Sequence, residues 1–156
     1  MKIIPYESYV KHSDKSSLEV KNTINDACAS VPLNVRVLKF DHESKPLVGN
    51  STENTFLVYR NIGYRNSFLP FAFGNVYTEG TGTLINIKIR MHAVITVFMI
   101  FYKTLLLLAL ASLISTSAPI SLILITFFIL VISSMLMYFA FWREVAKLNK
   151  IIETLL

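Results

Sequence analysis

From Ala93 to Trp142 the chain is almost continuously apolar, and the one break able to turn it is Ser115-Thr116-Ser117-Ala118-Pro119. Each arm exceeds roughly 20 residues, the length an α-helix needs to cross a ~30 Å hydrocarbon layer at 1.5 Å per residue. The pattern predicts a transmembrane hairpin over 93–114 and 120–142. Ahead of it the periodicity is shorter and more varied. Ser16 or Ser17 is a fair N-cap with Glu19 in the first turn. Apolar residues fall at Leu18, Ile24, Ala27, Cys28 and Val31, the last four at helical spacing, and Pro32 closes this short helix.

After Pro32 the period falls to two. Leu33, Val35 and Val37 alternate with Asn34 and Arg36, and Leu38 and Phe40 flank Lys39, which predicts a strand with a bulge. A shorter strand is expected over 45–50, a β-rich run over 55–62, and another over 68–77 interrupted by Pro70 and Gly74. Glu79-Gly80-Thr81-Gly82 reads as a hairpin turn. The cleanest strand is 84–91, with Ile85, Ile87, Ile89 and Met91 on one face and Asn86, Lys88 and Arg90 on the other. Every glycine lies between Gly49 and Gly82, which fits successive tight turns. Past Trp142, a helical stripe of Val145, Leu148, Ile151, Ile152 and Leu155 continues, with Glu144, Lys147, Lys150 and Glu153 elsewhere.

The expected architecture is therefore an α+β membrane protein. A short helix and an antiparallel meander of about 4–5 strands lead into the two-helix hairpin, followed by a short amphipathic helix. The boundaries are a loose arm over 1–15, an α+β domain over 16–92, the hairpin over 93–142 and a terminal helix over 143–156. That last helix is expected to pack back on the sheet or to self-associate.

Charge divides the chain in the same way. Of the 15 Lys and Arg residues, 11 precede Ala93 and three follow Trp142, leaving Lys103 as the lone charge inside the hairpin. Lys88 and Arg90 flank the first span, Arg143, Lys147 and Lys150 follow the second, and the turn carries no charge. This asymmetry predicts a multi-pass inner-membrane protein with both termini cytoplasmic. No signal-peptide pattern appears at the start. Cys28 is the single cysteine, so an internal disulfide is excluded and a cysteine-based zinc site has no second ligand. With 11 cations against eight carboxylates before Ala93 and no continuous basic stripe, nucleic acid is a poor partner.

The candidate chemistry is sparse. His12, His42 and His92 are scattered, and neighbours in Asp41-His42-Glu43 point in different directions, so no metal site or cofactor is expected. Nucleophile-elbow, P-loop and zinc-protease patterns are absent from the sequence, and no catalytic residue is assigned. The doublet Tyr59-Arg60-Asn61-Ile62-Gly63-Tyr64-Arg65-Asn66 is the distinctive polar stretch. Arg offers a planar fork of donors, Tyr a stacking face and Asn a paired donor and acceptor, which suits an anionic small molecule or a lipid headgroup. Tyr59, Arg60, Tyr64, Arg65 and Asn66 are the binding candidates, set against a plainer role as solvent-facing or phosphate-facing surface. Inside the hairpin, Lys103 would cost ~2.5–3.5 kcal/mol at mid-span, so it should snorkel or line a polar path with Ser133 and Ser134.

At Tyr64-Arg65-Asn66-Ser67-Phe68-Leu69-Pro70, Gly74-Asn75-Val76 and Gly82-Thr83-Leu84-Ile85-Asn86-Ile87-Lys88-Ile89-Arg90-Met91-His92, the chain resembles a loose group of small bacterial membrane proteins. These share a short β-rich domain leading straight into a two-helix membrane hairpin. The resemblance covers about residues 46–102 and implies architecture only, with no assigned activity. Ala93 stands where that group has proline after the histidine.

Together these features predict a non-enzymatic scaffold or assembly subunit with a cytoplasmic binding domain. It would associate with the bilayer and with itself or another membrane protein. The alternative is a ligand-gated effector that senses a nucleotide-like or anionic ligand and perturbs the bilayer through oligomerised hairpins.

Overall fold

The computed structural model describes residues 5–29, 45–52, 54–80 and 82–156. The strand expected over 33–40, the stop at Pro32 and the triplet Asp41-His42-Glu43 lie outside these. The described residues form an α+β unit whose sheet has six strands in the order β1-β6-β5-β4-β3-β2. Two long apolar helices follow it.

Alternation explains the inner face of the sheet. β5 (Pro70–Glu79) and β6 (Gly82–Met91) form a hairpin around Gly80, whose φ of 59° suits a residue without a side chain. Ala72 and Val76 on β5 and Ile85, Ile87, Ile89 and Met91 on β6 are buried. β4 (Thr55–Arg60) adds Phe56 and Val58 to the same face, and β3 (Leu47–Ser51) adds Leu47. Gly74 leaves the space the Phe56 ring occupies, since a Cβ there would collide with it. The Pro70 and Gly74 positions thus do not divide the strand: Pro70 opens it and Gly74 seats a ring.

α1 (Ser17–Ala27) starts where the capping pattern predicts. Ser16 accepts from the Glu19 amide while the Glu19 carboxylate accepts from the Ser16 amide at 2.7 Å. Its inward residues are Val20, Ile24 and Ala27, whereas Leu18 is 64% exposed. The chain leaves helical geometry at Cys28, which pairs with Leu47 in the short parallel strand β2 (Cys28–Ala29).

Where a loose arm is expected, β1 (Tyr6–Ser13) forms an edge strand antiparallel to β6 over its full length. Its alternation is polar, with Glu7, Tyr9, Lys11 and Ser13 turned inward, because its partner is a helix end rich in polar groups. That partner is the close of the chain.

α2 (Ala93–Ser115) begins directly after β6, with His92 as N-cap accepting from the Val94 amide. α3 (Ile120–Leu155) is a single helix of 36 residues, ~54 Å long, rather than a span followed by a separate tail. Both are long and apolar enough to cross a membrane, and their apolar windows are almost wholly exposed. Their mutual packing is concentrated near the sheet, where Ile95, Met99 and Tyr102 join Met137 and Phe141 in the core cluster. The last four turns of α3 lie on the sheet and bury Glu144, Val145, Leu148 and Ile152.

Candidate functional site

Register places the doublet at the end of the sheet nearest the two long helices. β6 ends at Met91 and enters α2. Pro70 pairs with Met91, and Tyr59 with Phe71, so the segment 61–69 joining β4 to β5 sits at that rim. α3 provides a ruler along the other axis. Tyr9 donates to Asn149 (3.0 Å), Asn149 donates to Glu7 (3.0 Å), Lys11 donates to the Glu153 carbonyl (3.2 Å), and Ser13 donates to the Leu156 carbonyl (3.0 Å). Lys15 donates to the Leu155 carbonyl. β1 and the end of α3 therefore run side by side in the same direction, and two lysines answer the negative end of the helix. Burial, with Glu7 and Glu153 nearby, pushes the Tyr9 hydroxyl up to about 12.

At the rim, three residues of three elements meet. Arg60, the last residue of β4, sets its guanidinium against the Glu144 carboxylate, with Nη2 at 2.7 Å and Nε at 2.9 Å. Tyr64 donates its hydroxyl to the other Glu144 oxygen at 2.6 Å and accepts from Arg60 at 3.0 Å. Lys147 approaches the same carboxylate at 3.5 Å. The Glu144 side chain is 3% exposed and that of Arg60 18%. Burial alone would raise the Glu144 carboxyl. The Tyr64 and Arg60 hydrogen bonds and the Arg60 and Lys147 charges outweigh it and hold the group below its ordinary value. Donation to Glu144 raises the Tyr64 hydroxyl in turn.

The other members of the doublet do different things. Asn66 closes its own turn, accepting from the Phe68 amide through Oδ1 at 2.9 Å and from the Leu69 amide through its carbonyl. Tyr59 lies on the opposite sheet face, its ring 5.0 Å from Phe71, which in turn lies 5.7 Å from His92. Arg65 is exposed. The five candidates are thus neighbours in sequence but divide between a buried network, a turn, the far face and solvent.

Lys103 is half-buried, and among the described residues it has no hydrogen-bond partner. Ser133 and Ser134 both donate to the Leu130 carbonyl of their own helix, at 3.1 and 2.7 Å. His12 approaches Glu79 at 3.5 Å in solvent at the opposite end of the sheet. Cys28 is buried in the core cluster, and desolvation pushes its thiol up to about 11. Among the described residues no group of three or more His, Cys, Asp or Glu side chains could hold a metal ion.

Sequence reasoning missed Glu144. Its signal was present: Glu144 lies three residues after Phe141 and four before Leu148, on the stripe that turns inward. A carboxylate on an apolar stripe requires a buried partner. Comparison with family models, curated proteins and solved structures found no match for the chain.

Proposed function

We propose that this is an integral inner-membrane protein whose α+β domain faces the cytoplasm and serves as a non-enzymatic binding or assembly module. The observation carrying this reading is the network of Arg60, Tyr64 and Glu144, which joins the sheet to α3 two residues past Trp142. A module so joined presents its surfaces in a fixed orientation to the bilayer. Exposure supports the membrane assignment, because a core helix of a water-soluble protein hides its apolar side chains. Here Phe98, Phe101, Leu108, Ile120, Leu136 and Phe139 are all at least 60% exposed, apart from neighbours they would meet in lipid. The cations Lys88, Arg90, Arg143 and Lys147 at one end of the pair support a cytoplasmic domain.

The test combines topology with partner capture. A reporter in the turn at Ser117 is expected to read external, and a photo-crosslinker at Tyr77, on the outer face of the sheet, is expected to trap one defined protein, this chain or another membrane protein. A cytoplasmic turn overturns the topology, and crosslinks spread without preference overturn the module.

A second reading, a ligand-gated effector, draws support from the same network. A ligand gripped by Tyr64, Arg65 and Asn66 would act on a segment already bonded to α3. Nucleotide-triggered dye leakage from liposomes, lost in Arg65→Ala and Lys103→Leu, favours it. Absence of leakage beside a captured partner favours the module.

A further inference from the structure

We propose that the rim where the two long helices meet the sheet binds the phosphate of an anionic phospholipid, with Arg65 and Arg143 as its donors beside the exposed ring of Tyr64. This deepens the reading of the chain as a membrane-spanning module and rests on it.

The rim's charges are unevenly committed. Arg60 is spent on Glu144 and has little surface left. Arg65 and Arg143 are both exposed, and among the described residues neither has a carboxylate partner. Glu144 is saturated by Arg60, Tyr64 and Lys147. The next carboxylate up the sheet, Glu7, is held by Asn149, seven residues beyond Trp142 and therefore ~10 Å farther from the apolar segment. Glu79 and Glu153 lie toward the opposite end, where β5 turns into β6 and α3 closes. Of these four carboxylates only Glu144 stands at the rim, and among the described residues the guanidinium groups of Arg65 and Arg143 have no carboxylate partner there.

Position selects the source of the phosphate. Arg143 is the first residue past the apolar run of α3 and follows Trp142, whose ring lies 6.1 Å from Tyr138. Tyr64 is 48% exposed with its hydroxyl pinned to Glu144, the residue that follows Arg143. Arg65 follows Tyr64 in the chain. Two indole or phenol rings at the edge of an apolar span mark the headgroup level, and guanidinium pairs bind phosphate oxygens in a bidentate manner. A phosphate held at this height is one attached to acyl chains lying along α2 and α3.

Trp142 is the single tryptophan, so the wild-type protein reports directly. The full chain is reconstituted in phosphatidylcholine vesicles containing either brominated phosphatidylglycerol or brominated phosphatidylcholine in equal amount. Stronger quenching of Trp142 by the brominated phosphatidylglycerol is expected, with the preference falling about fivefold for each of Arg65→Gln and Arg143→Gln. Lys21→Gln, at a half-buried α1 position beside Ser51 and remote from the rim, should leave it unchanged. Equal quenching by both lipids, an unchanged preference in the double variant, or loss of the preference when inorganic phosphate or ATP is added overturns the lipid assignment. Release of the wild-type protein from vesicles by alkaline carbonate defeats the membrane-spanning reading itself, a result distinct from equal quenching.

Discussion

Glu144 must stay ionised to accept from both Arg60 and Tyr64. Its folded value lies below the ordinary one, so its contribution is fully present above the unfolded carboxylate value and is lost as pH falls through the folded one. The joint therefore holds at neutral pH and weakens only in acid below the usual carboxylate range. Glu144→Gln keeps the shape but leaves Arg60 without its counter-charge in a nearly buried place, and should cost about 3 kcal/mol in denaturant unfolding of the detergent-solubilised protein. The same change should flatten the loss of stability on acidification. Cys28 gives an independent check at this scale. With its thiol at about 11 and its side chain buried, maleimide labelling at neutral pH should be slow in the folded protein and fast once denaturant is added.

At the scale of elements, α3 has two solvents. Leu148 is fully buried under the sheet, while Leu136, three turns earlier, is 64% exposed. Leu148→Ala should destabilise by about 2–5 kcal/mol, and Leu136→Ala should fall near zero in the same unfolding assay. Equal effects would mean that the end of α3 does not complete the core. This division also shows what could be read in advance. The two long apolar runs, the capping box at Ser16 and the alternation of β6 are local signals, legible because each depends on spacing within one segment. β1 is not local: its inward residues are polar, and only the approach of Asn149, Glu153 and Leu156, some 140 residues away, makes that face a buried one. The Arg60–Glu144 contact is hidden for the same reason, since 84 residues separate its members. Of the doublet, the chemistry of the side chains was legible but not which of them would be turned inward.

For the whole molecule, the direct passage from β6 into α2 and the unbroken course of α3 join the sheet to the apolar pair twice. Neither junction contains glycine, so a tilt of the pair carries the sheet with it. Lys103 fits this geometry. Helical Cβ atoms lean toward the N-terminus, which for α2 is the sheet end, so in the proposed orientation a snorkelling ammonium would head for the headgroups beside the domain. Placed ten residues after Ala93, ~15 Å along the helix, it reaches them only with a tilted helix or a thinned bilayer. Lys103→Leu should therefore strengthen retention in thicker-chain lipids, measured by partition between vesicles of short-chain and long-chain phosphatidylcholine, and an unchanged partition would mean the ammonium is satisfied within the hairpin.

The shared direction of β1 and α3 also decides how copies can meet. Among the described residues β1 is an edge strand, paired with β6 alone. In the proposed orientation every copy in one bilayer points its β1 away from the lipid. Antiparallel addition of one β1 to another, the stronger ladder, would require a neighbour standing upside down with its apolar helices in water. In that orientation the bilayer would police the sheet's edge by aligning all copies, and extraction into detergent would remove that constraint.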